Sequence, residues 1–283
     1  MQKRTVLLLV STCAMVSGSW WAMQTVHAIS NESLLRVDVL DIGQGDALLI
    51  TTPNKTRVLI DTGPNQQVLN ALAEVLPPHI SSLDAIMLTH PDLDHIGGTT
   101  DVFDAYAVPL LLTSSTSKQN DITDAIYAYG TPLQLLSRGD KIVLDPVHNV
   151  YAEVLAPDVT WNSEDANELS IVLKLVYGET CFIFTGDASK RVEQAIAHVY
   201  TETLDCDVLK IGHHGSNTST DHLFVGYVSP QFAAISAGRD NDFGHPHQEV
   251  LDVLESFSVE VHRTDLEGTF SFVSDGKTVS LLK

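Results

Sequence analysis

The sequence predicts an α/β fold in which two packed sheets are covered by helices. Two patterns in the chain predict it. Short apolar runs of strand length alternate with helical segments twice along the 283 residues, and each half opens on a strand-rich stretch. An apolar fraction of 44% is enough to build the core that such layers need.

The first half reads as follows. Leu35-Arg36-Val37-Asp38-Val39-Leu40 is a strand, and Asp41-Ile42-Gly43-Gln44-Gly45-Asp46 is a glycine-punctuated turn. Residues 47–52 and 56–60 form a hairpin around Pro53-Asn54-Lys55, closed by Asp61-Thr62-Gly63. Residues 65–76 are an amphipathic helix stopped by Pro77-Pro78. The apolar run 84–88 is a short buried strand, followed by a helix over 97–105, a strand over 108–112 and a helix over 120–129. Residues 141–144 and 150–155 are strands, and 157–167 is a polar loop.

The second half begins with a hairpin of 170–177 and 181–184 around Gly178-Glu179. A helix runs to about Tyr200, and strands cover 207–211 and 232–236. A helix over 248–257 and three short strands near 258–263, 268–273 and 278–282 close the chain.

The N-terminus carries a targeting signal. Lys3 and Arg4 precede an uncharged stretch from Thr5 to Ala28, and Val26-His27-Ala28 has the small residues that a signal peptidase reads. The expectation is a signal peptide over 1–28, with an uncleaved membrane anchor as the alternative, and one domain over 33–283. The protein is then periplasmic or secreted. Cys181 and Cys206 lie beyond this leader; an exported compartment permits a disulfide, and two buried free thiols are the simpler expectation.

Lys and Arg number 16 against 36 Asp and Glu, a net charge of −20. Broad electrostatic binding of nucleic acid uses a basic surface, so this balance argues against it. A DNA substrate would have to be held by metal ions and a few local cations.

The chemistry is concentrated in Thr89-His90-Pro91-Asp92-Leu93-Asp94-His95-Ile96-Gly97-Gly98, at the exit of the strand over 84–88. In an extended loop His90, Asp92 and Asp94 would point the same way, with His95 following where the chain turns. Carboxylates this close repel one another unless a cation neutralises them, so the cluster reads as a metal site. Further candidates follow later strands: Asp187 in Phe-Thr-Gly-Asp-Ala, His213-His214 before Gly215-Ser216, and His245 in Phe-Gly-His-Pro-His. Adjacent histidines leaving a strand diverge, so one of His213 and His214 should face the metals.

The ligand loop resembles the His-x-His-x-Asp-His signature of the metallo-β-lactamase superfamily, with Asp92 in place of the second His. That replacement, with Ile96-Gly97-Gly98, Asp41-Ile42-Gly43-Gln44-Gly45-Asp46-Ala47 and Gly244-His245-Pro246, is similar to the soluble C-terminal hydrolase domain of ComEC-type competence proteins. The resemblance runs from about residue 35 to 283. It implies a four-layer αββα sandwich with loops of both sheets meeting at one edge. It also implies two divalent ions held by His90, Asp92, Asp94, His95, Asp187 and His213, with Asp187 bridging. Asp61, in Leu-Ile-Asp-Thr-Gly, would orient the ligand loop without touching metal. Asp94, His214 and His245 are the expected catalytic groups: His214 holds substrate or acts as a second ligand, and His245 contacts phosphate or donates a proton. Asp41 and Asp46 are expected only to close their turn.

Two departures bear on the metal. Superfamily members carry a His before the strand at Ser170, where this chain has Glu164-Asp165-Ala166-Asn167-Glu168-Leu169. With Asp92, that makes one site rich in oxygen, favouring Mn²⁺ or Mg²⁺ over Zn²⁺, though Zn²⁺ fits the histidines. The resulting expectation is an exported metal-dependent phosphodiesterase, a DNase by resemblance. The alternatives are a hydrolase of a lipid or cell-wall phosphodiester, or a non-catalytic metal-binding protein. The multi-pass channel of ComEC-type proteins is not part of this sequence.

Overall fold

The computed structural model describes residues 34–282. The expected targeting segment lies outside them. Fifteen strands are found among the described residues. In the first half they are β1 (Leu35–Val39), β2 (Leu48–Thr51), β3 (Arg57–Ile60), β4 (Ala85–Leu88), β5 (Leu111–Ser114), β6 (Leu133–Leu136), β7 (Lys141–Asp145) and β8 (Val150–Ala156). The second half holds β9 (Val172–Tyr177), β10 (Thr180–Phe184), β11 (Val208–Lys210), β12 (Phe232–Ile235), β13 (Glu260–Arg263), β14 (Phe270–Ser274) and β15 (Val279–Leu282). The helices are α1 (Gln67–Val75), α2 (Leu93–Ile96), α3 (Thr99–Ala105), α4 (Asp121–Tyr127), α5 (Lys190–Tyr200), α6 (His222–Val228), α7 (Gln248–Ser256) and α8 (Thr264–Glu267).

The strands form two sheets, ordered β15-β14-β1-β2-β3-β4-β5-β6 and β13-β12-β11-β10-β9-β8-β7. Alternation along each strand decides which residues meet. Val37, Ile50, Val58, Met87 and Phe272 of the first sheet face Leu173, Phe182, Phe184 and Val208 of the second in the core between the sheets. The opposite faces carry Leu49, Leu59 and Ile86 under α1 and its neighbours, and Ile183, Leu209 and Ala233 under α5, α6 and α7. The result is the expected αββα sandwich.

Several elements differ from the sequence reading. β6 was not expected: it is a four-residue edge strand, and Leu133 and Leu135 are exposed despite their apolar side chains. α6 was also unexpected; its start is fixed by Asp221, whose carboxylate accepts from Leu223 N–H and Phe224 N–H. β14 and β15 do not extend the second sheet. They return to the first, Val37 pairing with Phe272 across the β1–β14 ladder. That pairing spans nearly the whole chain, and no local pattern announces it.

β3 to β6 are parallel, as are β10 to β13. The carboxyl ends of β3, β4, β10, β11 and β12 therefore open toward one edge of the sandwich. Among the described residues, no helix is long and apolar enough to cross a membrane.

Cys181 and Cys206 are joined in a disulfide, which corrects the expectation of free thiols. β10 and β11 are parallel neighbours, so the cysteines at their entrances are brought within 5.0 Å, Cα to Cα. The bond closes a sequence separation of 25 residues. By loop-closure entropy it should contribute about 3 kcal/mol. Denaturant unfolding of Cys181→Ser/Cys206→Ser beside the parent should show a loss of that order; equal midpoints would contradict it.

Candidate metal centre

Asp61 follows β3 in a left-handed conformation (φ 57°) and is fully buried. Its Oδ1 accepts from Thr89 N–H at 2.8 Å, and its Oδ2 accepts from the Thr89 hydroxyl at 2.7 Å. Oδ2 also meets His95 Nδ1 at 2.8 Å. The Thr89 hydroxyl has one hydrogen, and it goes to Asp61. Its contact with His90 Nδ1, at 3.0 Å, is therefore one in which the imidazole N–H donates. The Asp61 carboxylate thus holds a hydrogen on Nδ1 of His95 directly and, through the Thr89 hydroxyl, on Nδ1 of His90, so that both Nε2 atoms turn inward.

The expectation that the ligand loop stays extended is corrected from Leu93 onward, where α2 begins with Asp92 in the N-cap position. Asp94 and His95 accordingly project from a helical turn. The turn can sit this deep because Gly45 and Gly98 let backbones touch: a Cβ on Gly45 would lie 2.2 Å from the Asp94 carbonyl, and one on Gly98 2.5 Å from that of Thr62.

The second sheet supplies the rest. Asp187, after β10, is buried; its N–H donates to Ser170 Oγ at 3.3 Å, at the position where the superfamily's additional His was absent. The turn Gly212–Gly215 follows β11. His213 and His214 both have left-handed backbones, φ 50° and 54°. Alternation holds only for extended chain, so the expected divergence of these two side chains does not occur. His213 Nε2 lies 3.6 Å and His214 Nε2 3.7 Å from Asp187 Oδ2.

All four imidazoles converge on Asp187. His95 Nε2 is 3.2 Å from its Oδ1, and His90 Nε2 is 3.9 Å from its Oδ2. His90 Nε2 is also 3.7 Å from Asp92, and His214 Nε2 is 3.2 Å from Asp94. The Nδ1 atoms face outward: that of His214 donates to the Ser236 carbonyl at 3.1 Å, and that of His213 meets Thr218 Oγ1 at 3.1 Å. His90 Nε2, His95 Nε2 and Asp187 Oδ1 are buried and have no hydrogen-bond partner. Ring nitrogens and a carboxylate turned toward one another suit a divalent cation, which would take the place of ring protons there. The residues present thus fit the divalent metal that the sequence implies.

Asp46 is the residue that sequence reasoning undervalued. It does more than close a turn: buried, it pairs with buried Lys210 at 2.9 Å and lies 3.3 Å from His214 Nδ1. Asp46, His95, Asp187 and His214 offer ligand atoms within 4.8 Å of one another. Its burial in a Gly-Asp-Ala turn between two apolar strands was the available signal. His245 places its ring 5.8 Å from that of His213 and 6.3 Å from that of His214. His247 occupies the N-cap position of α7 without a capping bond of its own; its Nδ1 accepts from Asn217 N–H instead. Asp41 is exposed and accepts from Gly43 N–H, closing its turn as expected.

The electrostatics follow from burial of so many charges. Burial pushes His90 down to about 3, with the neighbouring His95 adding to it. For His214 burial acts downward too, but Asp187, Asp46 and Asp94 outweigh it and raise the ring to about 9. His95 is raised well above its usual value against the same burial by Asp187 and Asp61. Burial and the rings of His214, His247 and His213 lower His245 to about 4.

A family model described as "Metallo-beta-lactamase superfamily" matches residues 40–239. The chain belongs to that superfamily. Its relatives include ComE operon protein 3 of Bacillus subtilis, 32% identical over 96% of this chain and 37% of that protein. Competence protein ComA of Neisseria gonorrhoeae is 32% identical over 85% and 32%. Recombination protein 2 of Haemophilus influenzae is 30% identical over 82% and 28%. These are competence proteins of the ComEC type, and the chain spans about a third of their length. Among solved structures, a metal-dependent hydrolase of the β-lactamase superfamily superposes with a TM-score of 0.56 at 13% identity, covering 81% of this chain and 95% of that one. CmlA, a diiron β-hydroxylase from Streptomyces venezuelae, also gives 0.56, at 12% identity over 88% and 54%. The likeness to both is one of fold.

The metal-free chain should be pH-sensitive in a defined direction. His214 has a folded pKa of about 9, above the roughly 6.5 of an unfolded histidine. Its stabilising charge is fully present below about 6.5 and lost as pH rises through about 9. Denaturant titrations of metal-stripped protein should show stability falling across that window, and His214→Gln should lessen the fall. A flat profile would refute the assignment.

Proposed function

We propose that this protein is a divalent-metal-dependent phosphodiester hydrolase acting on DNA in an exported compartment. The convergence of four imidazole Nε2 atoms on one buried carboxylate, with two further aspartates beside them, carries the reading. His90, Asp92, Asp187 and His213 would hold one ion; Asp94, His95, Asp187 and His214 would hold the other. Three carboxylates in that set favour Mn²⁺, with Zn²⁺ and Mg²⁺ as the alternatives. When bound, such ions acidify water and polarise a phosphoryl oxygen.

The chain's own residues do the rest. Asp61 and Thr89 fix the tautomers of His90 and His95, so both rings arrive with their lone pairs directed inward. His245, at about 4, is neutral near pH 7. It therefore serves as a hydrogen-bond donor to a phosphate or departing oxygen rather than as a proton reservoir. Relationship to competence proteins supports DNA as the substrate, and the disulfide supports export.

Phe243 adds a nucleic-acid feature. It is 63% exposed, and its ring stacks on His245 at 5.6 Å. The loop beneath is braced by Asn241, whose Nδ2 donates to the Gly238 and His245 carbonyls and whose Oδ1 accepts from Phe243 and His245 N–H. An apolar ring held rigidly beside the centre is suited to stacking on a base. The rival substrate is a lipid or cell-wall phosphodiester, which the net charge of −20 favours.

Metal-stripped protein given Mn²⁺, Zn²⁺ or Mg²⁺ separately should cleave single-stranded or plasmid DNA with at least one of them, and His90→Ala should abolish cleavage. Turnover of a small chromogenic phosphodiester without DNA cleavage would transfer the reading to the rival substrate. Silence on all substrates despite bound metal would favour a non-catalytic role. In the same assay Phe243→Ala should raise KM for single-stranded DNA at least about fivefold while leaving the small diester unaffected. Equal effects on both would remove the base-stacking role.

A further inference from the structure

We infer that Asp46 and Lys210 form a positioning pair for the metal subsite of Asp94, Asp187, His95 and His214, and that Asp46 is not itself a ligand. The inference rests on reading the site as a metal centre and does not depend on the substrate.

The geometry of the His214 ring carries it. The two nitrogens of an imidazole point away from each other. Nε2 faces Asp94 at 3.2 Å and Asp187 at 3.7 Å. Asp46 Oδ1 lies 3.3 Å from the other nitrogen, Nδ1, whose hydrogen goes to the Ser236 carbonyl. An ion on Nε2 therefore sits across the ring from Asp46. The second oxygen of Asp46 is already committed, because Lys210 Nζ donates to Oδ2 at 2.9 Å and to the Ile211 carbonyl at 2.9 Å. A carboxylate against the Nδ1 edge adds to the Ser236 carbonyl in favouring the hydrogen on Nδ1 and the lone pair on Nε2. Asp61 does the same for His95 from the first sheet.

The pair also sets a distance. Asp46 belongs to the turn between β1 and β2, and Lys210 ends β11 in the other sheet. Asp46 N–H donates to the Asp94 carbonyl at 3.2 Å, and its own carbonyl accepts from Gly63 N–H at 2.9 Å. Asp46 thus holds the Asp94 loop by its backbone and the His214 turn by its carboxylate. Lys210 and Asp46 are each 1% exposed. A buried ion pair is commonly replaceable by neutral side chains of similar volume without loss of stability. Its place beside the His214 turn is better explained by what it positions.

The test uses Asp46→Asn, Lys210→Met and the double variant Asp46→Asn/Lys210→Met in the full chain. Metal stoichiometry and affinity are measured with Mn²⁺, ligand geometry by the absorption bands of Co²⁺, and folding by thermal unfolding of the metal-free form. The double variant leaves no unpaired charge, so it decides the matter if a single variant fails to fold. The expected result is two bound ions, unchanged Co²⁺ bands, and affinity for one ion lowered by roughly 10- to 100-fold. Loss of a whole equivalent of metal with altered bands would make Asp46 a ligand and overturn the inference. Unaltered affinity for both ions in a folded double variant would reduce the pair to a structural contact and overturn it as well.

Discussion

The carboxylate of Asp187 lies buried where the edges of two sheets meet, and four imidazoles from two segments, one in each sheet's loops, are arranged around it. Burying a negative charge is costly unless cations or hydrogen bonds compensate for it. Here the compensation must come from both sheets at once. His90 and His95 arrive from the first sheet, His213 and His214 from the second, and neither pair suffices alone. The local oddities of the fold serve that meeting: the left-handed backbones of Asp61, His213 and His214, and the glycines at 45 and 98 that allow near-contact of main chains.

A second level of organisation lies behind the ligand atoms. Two buried aspartates, Asp61 and Asp46, address the Nδ1 edges of His95 and His214. Both edges face away from Asp187. The strands that present these aspartates are apolar on either side, so the carboxylates are fixed by packing before any metal arrives. A site built this way is pre-organised, and little ordering remains to be done on binding. It also explains why Lys210 is fully buried in a very acidic chain: it compensates Asp46 and leaves Asp94 and Asp187 free to hold a cation.

Legibility of the fold varied with locality. β4 and β10 were readable because each is a continuous apolar run ending in a polar motif. β6 and α6 are four and seven residues long, too short for periodicity alone to mark them. The site followed the same rule. His90, Asp92, Asp94 and His95 lie within six residues, so their chemistry is visible in one glance at the chain. Asp46 and Lys210 are 164 positions apart, and each alone resembles an ordinary turn acid or a strand-terminal lysine.

By itself the sequence determined the layered α/β class and marked the clustered His and Asp of the loop after β4, with Asp187 and the later histidines, as candidate metal-binding groups. These follow from spacing and side-chain chemistry, which need no partner to be read. Only the tertiary structure decided that His213 and His214 both face Asp187, that Cys181 bonds Cys206, that β14 and β15 rejoin the first sheet, and that Asp46 meets Lys210. Each of those facts depends on a backbone conformation or a strand pairing between distant segments. Such contacts are fixed by packing of the whole chain, and no short stretch of it encodes them.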